Sequence, residues 1–314
     1  MKDFVVRDFF LKINKTHILL FFLVVAGSGL AGALDVAPSK FKVLTTVFPL
    51  EEFAAAVADD LGDISLLLPP GAEVHTWQPR ISDIKKFSSL DVFIYIGGGL
   101  EPWAKDILKS VSRPGLKILE AGKGLAVSEP GGDGHGPEAT DPHIWLDFSY
   151  DQILIDRIQA ALDSVDPAQA PAFKERGEAY KEKLRRLDQK YRDALGTCDH
   201  KTFIFGGHSA FRYLARRYGL EQVAVYGASP DAAPTPRELT RIIALARQKK
   251  IRTIFYEFGT GDKIARMIAA EVGADIRPLY PGHNLTPEQR RARVTFLDLM
   301  EQNLENLKYG LGCR

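Results

Sequence analysis

Four of the seven histidines in this 314-residue chain fall where they could share one task. His75, His208 and His283 each come just after a short apolar run that reads as a parallel strand. His143 sits in the tight segment Asp141-Pro142-His143-Ile144-Trp145. Ligand sites in open α/β sheets collect at the carboxyl ends of strands. Neutral imidazole is the commonest metal ligand and suits zinc. Histidines distant in sequence but repeatedly placed at strand ends therefore point to one metal site. Each alone is equally well explained as a loop or capping histidine satisfied by backbone; the recurrence carries the inference. His135, in a glycine-rich loop, and His200, just before a strand, do not fit and read as solvent-facing. His17 lies in the N-terminal leader.

The surroundings add detail. His75 lies in Gly71–Pro79, between the strand that ends at Pro69-Pro70 and the helix start Ser82-Asp83-Ile84. Asp141 or Asp147 could accept the second ring N–H of a ligating His143, the usual outer arrangement around a metal. Ser149 is the expected N-cap of a helix over 150–162. His208 follows Gly206-Gly207, a sharp turn, and is expected at the N-terminus of the next helix. The helix dipole there disfavours imidazolium and would keep the ring neutral, as a ligand must be. His283 stands in Tyr280-Pro281-Gly282-His283-Asn284-Leu285. The two cysteines, Cys198 and Cys313, are too few for a multi-thiolate zinc site.

The elements that must position these residues follow from hydrophobic pattern. Four short apolar runs occupy the first half (42–48, 64–69, 92–97 and 117–121) and four the second (202–206, 223–226, 253–257 and 276–280). Helical patterns lie between them, over 51–61, 103–111, 236–249 and 262–272. Strand alternating with helix predicts parallel sheets flanked by helices, and the count predicts two similar α/β lobes of four strands each. Between them, Asp166-Pro167 marks a helix start. Phe173, Tyr180, Leu184, Leu187, Tyr191 and Leu195 then recur on one helical face. Lys174, Glu175, Lys181, Glu182, Lys183, Arg185 and Arg186 form the opposite, solvated face, and Gly196 is the expected stop. A helix of about 29 residues spans about 43 Å, which makes it a rigid strut between lobes. The expected organisation is a signal peptide over 1–33, an N-terminal lobe over 34–165, a linking helix over 166–196 and a C-terminal lobe over 197–314.

Composition narrows the class. Apolar content of 45% with 26% charged residues is that of an ordinary globular protein. A formal net charge of +1 leaves no basic stripe to hold nucleic acid. Lys2, Arg7, Lys12 and Lys15 precede the apolar run Ile18–Ala26 and the small residues Ala31-Gly32-Ala33. This is the pattern of an export signal cleaved near Ala33. The alternative is an uncleaved anchor, for which the run is short. Removing residues 1–33 takes away four basic and two acidic side chains and leaves a net charge of −1. Export implies an oxidising compartment, which favours a disulfide between Cys198 and Cys313; the alternative is a pair of unrelated thiols.

Several motifs together resemble a known family. They are Gly71–Pro79 with Ser82–Ile84, Gly99–Trp103, Asp141–Asp147, Gly207–Tyr213, Tyr256–Phe258 and Leu297–Asn303, in that order along nearly all of the mature chain. The chain is similar to the periplasmic metal-binding proteins of zinc and manganese ABC importers, the cluster A-I solute-binding family, in its zinc type. The resemblance implies one Zn²⁺ held between two lobes, delivery to an ABC permease in the inner membrane, a monomer, and no enzymatic activity. His75, His143 and His208 fall on the first three ligand positions. Histidine at the third, where manganese-type members often carry glutamate, leans towards zinc. At the fourth position the family usually has aspartate. One alignment puts His283 there; the other puts Tyr280 there, with water or Glu257 completing the site. The expectation taken forward is His283. Two further departures stand out. Besides Glu129 at its start, the loop Glu129–Thr140 holds only Asp133, His135 and Glu138 of the usual acidic and histidine-rich residues, and Phe148 replaces a common proline. The alternatives are a manganese or iron binder or an adhesin of the same fold, or a secreted zinc hydrolase using three histidines and a water.

Overall fold

The computed structural model describes residues 40–111, 113–125, 140–226 and 234–314. The expected leader with its cleavage near Ala33, His17, and His135 with most of the loop around it lie outside the described residues.

In chain order the elements are β1 (Phe41–Thr45), α1 (Phe48–Ala58), β2 (Gly62–Leu66), α2 (Ile81–Lys86), β3 (Val92–Tyr95), α3 (Ala104–Ser110) and β4 (Lys117–Glu120). Two helices follow, α4 (Phe148–Asp163) and α5 (Ala170–Gly196). The second half comprises β5 (Thr202–Phe205), α6 (Arg212–Arg217), β6 (Glu221–Ala224), α7 (Pro236–Gln248), β7 (Thr253–Glu257), α8 (Lys263–Val272), β8 (Asp275–Leu279), α9 (Pro287–Arg291) and α10 (Phe296–Leu311). All eight expected apolar runs contribute strands, displaced by at most a few residues.

The strands form two sheets with the same order, β2-β1-β3-β4 and β6-β5-β7-β8. Every pairing is parallel. That order places a topological switch point between β1 and β3 in one lobe and between β5 and β7 in the other, where such sheets bind ligands. Each sheet is covered on both faces. Phe87, Phe93 and Ile107 fill the outer side of the first; Ile242, Ile254 and Ile268 fill that of the second. The inner sides share one continuous core that includes Phe53, Trp145, Tyr191, Phe205 and Phe296.

Helix α5 runs through this shared core. Phe173, Tyr180, Leu184, Leu187, Tyr191 and Leu195 are all buried, as the periodicity predicts. A short 3-10 turn over Pro167–Gln169 precedes it, and the α-helix proper has 27 residues. Gly196 is its last residue and not its stop. Lys181 departs from the solvated face expected of it. It is buried, with Nζ 2.5 Å from Asp156 of α4 and 2.6 Å from Glu178. The aliphatic stem packs while the ammonium reaches two carboxylates at the rim. Phe148, at the position of the common proline, is fully buried and meets Tyr191 of α5 edge to face at 5.2 Å. Cys198 and Cys313 form the expected disulfide, which ties the end of the chain to the start of the second lobe.

Polar contacts join the halves around the cleft. Arg217 reaches Asp147 at 2.8 Å and Asp188 of α5 at 2.6 Å. Trp145 Nε1 donates to the Pro281 carbonyl at 2.7 Å. Asn284 Nδ2 donates to the carbonyls of Pro69 and Ala72. The N–H of Phe48 donates to the His283 carbonyl at 2.9 Å.

Asp151 of α4 stands apart from this satisfied network. It is fully buried and neither carboxylate oxygen has a partner. Burial, reinforced by the charge of Asp147 and only partly offset by Arg217, raises its carboxyl well above the usual range. A raised acid favours folding most at low pH, and that contribution is lost as pH rises from about 3.9 through the folded value. Asp151→Asn carries no such dependence. The variant is expected to gain stability relative to the parent as pH rises, each kcal/mol appearing as about 2–4 °C in Tm. Thermal melts of metal-free protein at pH 5 and pH 8 check this; an equal difference at both pH values contradicts it.

Candidate metal centre

Three of the four predicted histidines converge. His75 reaches the cleft from the β2–α2 loop, His143 from the 3-10 turn that precedes α4, and His208 from the turn after β5. His143 Nε2 lies 3.2 Å from His75 Nε2 and 3.1 Å from His208 Nε2. The three ring centroids are 5.0–5.1 Å apart pairwise. Two nitrogens bound to one tetrahedral zinc at ~2.0–2.1 Å are separated by about 3.3–3.4 Å. The rings thus stand close to the spacing that such an ion imposes.

Carboxylates fix which nitrogen faces inward. Asp141 Oδ1 accepts both the His143 backbone N–H, at 3.0 Å, and Nδ1, at 2.7 Å. Glu257, the last residue of β7, has Oε2 2.8 Å from His208 Nδ1. An ionised carboxylate only accepts, so Nδ1 carries the proton in both rings and Nε2 is left to a metal. Of the two aspartates considered, Asp141 takes this part. Asp147 instead caps α4 through the Ser149 backbone N–H and pairs with Arg217. This corrects the expectation that Ser149 would be the N-cap. Helix α4 begins at Phe148, two residues before the expected start, because the longer carboxylate arm reaches the free N–H.

The surroundings of His208 also differ from the helix terminus expected there. Helix α6 starts only at Arg212, four residues on, so no helix terminus faces the ring. Burial pulls the His208 pKa down, but the hydrogen bond and charge of Glu257 outweigh it and raise the pKa above the ordinary value. Glu257 shows the converse: burial pushes it up, and the His208 contact holds it below the usual carboxylate range. Burial, then the charges of the neighbouring histidines, lower His75 to about 2, so it is neutral at any working pH.

His283 belongs to a second group. Its ligand atom lies with those of Glu73 and Glu257, all within 4.8 Å of one another, as do the ligand atoms of His75, His143 and His208. His283 is buried and its Nδ1 has no partner, and neither has Glu257 Oε1. Burial lowers the His283 pKa, against the opposing charges of Glu73 and Glu257. Asn303 of α10 positions this loop: it accepts from the Tyr280 N–H and donates to the Tyr280 carbonyl, both at 2.8 Å. Tyr280, the other residue aligned on the fourth position, lies against Phe258 with ring centroids 4.8 Å apart. Glu73 was not singled out from sequence, although it stands two residues before His75 in the same loop. Its Oε1 accepts the His75 backbone N–H at 3.1 Å. His200 is half-buried, its N–H bonded to the Leu311 carbonyl, not solvent-facing.

The family profile described as the periplasmic zinc-uptake complex component A, ZnuA, matches residues 43–310. The chain belongs to this family. It is 32% identical over 302 residues to the high-affinity zinc uptake system protein ZnuA of Bacillus subtilis, covering 92% of this chain and 94% of that protein. The zinc-binding protein AdcA of Streptococcus pyogenes is also 32% identical, but the match covers 87% of this chain and only 56% of that longer protein. Among solved structures, the Zn(II)-bound ZnuA-like domain of Streptococcus pneumoniae AdcA matches with a TM-score of 0.75 and 32% identity, over 87% of this chain and 99% of that one. The laminin-binding protein of Streptococcus agalactiae, described as both adhesin and metal transporter, matches with a TM-score of 0.78 and 28% identity, over 87% of this chain and all of that one. The two lobes of parallel sheet and the long helix between them are the family's fold.

The carboxylate contacts generate a prediction. Asp141→Ala and Glu257→Ala remove the acceptors that orient His143 and His208. Each is expected to weaken Zn²⁺ binding about 10–100-fold while leaving the far-UV circular dichroism unchanged. Competition titration against a zinc chelator measures the loss, and unchanged affinity in both variants contradicts the assigned orientation.

Proposed function

We propose that this protein is the periplasmic solute-binding component of a zinc ABC importer, that it captures one Zn²⁺ between its lobes, and that it hands the ion to an inner-membrane permease. The observation that carries the reading is the convergence of three imidazole Nε2 atoms, two of them with Nδ1 held by buried carboxylates. Three nitrogen donors favour zinc over manganese, which prefers carboxylate and water. His75, His143 and His208 are the proposed ligands. His283 is the proposed fourth, drawn from the group that adjoins them, since a buried imidazole nitrogen without a partner is a donor in waiting. A fully protein-coordinated ion is the pattern of a closed site. His143 and His208 have no exposed surface, and only His75 and Glu73 among these residues keep appreciable contact with solvent. That access suits a bare ion and not an ester or peptide, which supports a binding protein over a hydrolase.

The test is metal analysis and titration of the purified mature protein. One zinc per chain is expected, retained against excess Mn²⁺ and lost in His143→Ala and His208→Ala. Tight stoichiometric zinc that survives both substitutions overturns the proposal.

A further inference from the structure

The second group of donors poses a question that a single four-coordinate ion does not answer. Glu73, Glu257 and His283 bring their ligand atoms within 4.8 Å of one another, beside the three histidines. Two carboxylates and one imidazole make a harder donor set than three imidazoles. Glu257 Oε1 and His283 Nδ1 are buried without partners, on residues only 2% and 8% exposed. Buried polar atoms are normally satisfied, and those that are not ask for a reason. Glu73, by contrast, is half-buried, the one member of the group that keeps contact with solvent.

The two groups are linked. Glu73 Oε1 accepts the backbone N–H of His75. Glu257 holds His208 Nδ1 with Oε2, which leaves Oε1 unengaged. Any cation drawn to these carboxylates therefore comes to rest against the supports of two zinc ligands.

We propose that Glu73, Glu257 and His283 form a landing seat through which a divalent cation enters and leaves the three-histidine site. The inference rests on the zinc-binding reading above and adds a second position to it. The partly exposed Glu73 takes the hydrated ion first, since a carboxylate attracts a dication over a longer range than a neutral ring. The buried Glu257 Oε1 and His283 then replace water in its shell. His75, His143 and His208 next displace the carboxylates, and His283 stays with the ion throughout. The three imidazoles hold zinc more firmly than the carboxylates do, so the ion settles there. Departure retraces the same positions.

Stopped-flow kinetics on the full mature protein test this, with Zn²⁺ as the probe. Association is followed after mixing with the metal-free protein, and dissociation after adding excess chelator to the zinc-loaded protein. Because the seat lies on the path in both directions, Glu73→Gln is expected to slow both rates, each by roughly tenfold. Slower association with dissociation unchanged or faster would mean that Glu73 only attracts the ion or supports His75, and overturns the proposal. So do unaltered rates in both directions. Glu73→Asp, which keeps the charge on a shorter arm, is expected to recover part of both rates; slowing as severe as in Glu73→Gln also counts against the seat. Failure of the zinc-binding reading itself is a separate result, seen as wild-type protein that takes up no stoichiometric zinc at equilibrium.

Discussion

Everything at this site depends on two buried hydrogen bonds between carboxylate and imidazole, Asp141 to His143 and Glu257 to His208. An imidazole is a useful ligand only when the correct nitrogen is free and the ring is aimed. A carboxylate on the opposite nitrogen settles both at once. Burial strengthens the arrangement, because solvent does not compete for the contact, but it also penalises the carboxylates as ions. The remaining oxygens, Asp141 Oδ2 and Glu257 Oε1, are left without partners. The pair thus places carboxylate oxygens next to three imidazole rings. The group best able to satisfy that combination is a cation.

Holding Asp141 and Glu257 in register falls to the frame between the lobes. Asp141 sits in the connection between β4 and α4, and its carbonyl accepts from the Tyr213 hydroxyl at 2.9 Å. Glu257 ends a central strand whose register with β8 runs through five residue pairs. The two are joined through one core and through α5, which packs on α1, α4 and α10. Arg217 links the α4 cap, Asp147, to Asp188 in the middle of α5. A wide hinge would move the histidines of the two lobes independently, and the ring spacing would then depend on the degree of closure. A continuous core and a helix of 27 residues tie the segments that carry these histidines to one frame.

Much of this was legible because its signals are local. Short β-branched and aromatic runs gave eight strands, and the seven- and four-residue spacings gave the buried face of α5. What the sequence concealed depends on contacts between distant segments. The partner of His208 is 49 residues away in sequence; Glu257 was named from sequence as a residue that could complete the site, but no local pattern gives it the part of holding the His208 ring. The helix-dipole argument failed for a related reason: the turn Gly206-Gly207 continues for several residues before α6 begins. Lys181 looked like one more charge on a solvated face, and only the packing of α4 brings Asp156 to it. Glu73 passed unnoticed because histidine is the more conspicuous ligand in its loop. The assignment of His283 stayed ambiguous because a three-residue shift in alignment exchanges it for Tyr280, and the difference lies in how the loop after β8 folds against Pro69 and Ala72.

The identical strand order of the two sheets explains why the ligands come from such unequal places. Each lobe offers one switch point, formed by the ends of β1 and β3 or of β5 and β7. In the second lobe it holds His208 and Glu257. The corresponding position of the first lobe holds Thr46 and Glu101, whose carboxylate accepts the threonine hydroxyl at 2.5 Å and the backbone N–H groups of Ile96 and Gly97. Burial raises the Glu101 pKa despite those bonds. A carboxylate so fully engaged with its own loop has little left to offer an ion. Gly97, with φ of 83° and the Glu120 side chain where a Cβ would lie, holds the same turn closed. With that switch point spent on structure, the first lobe supplies His75 from the loop after its edge strand β2 and His143 from the connection into α4. The fold thus provides two equivalent crevices, and only the second sets an imidazole and an unengaged carboxylate oxygen at its switch point; the other fixes the wall against which the proposed site is built.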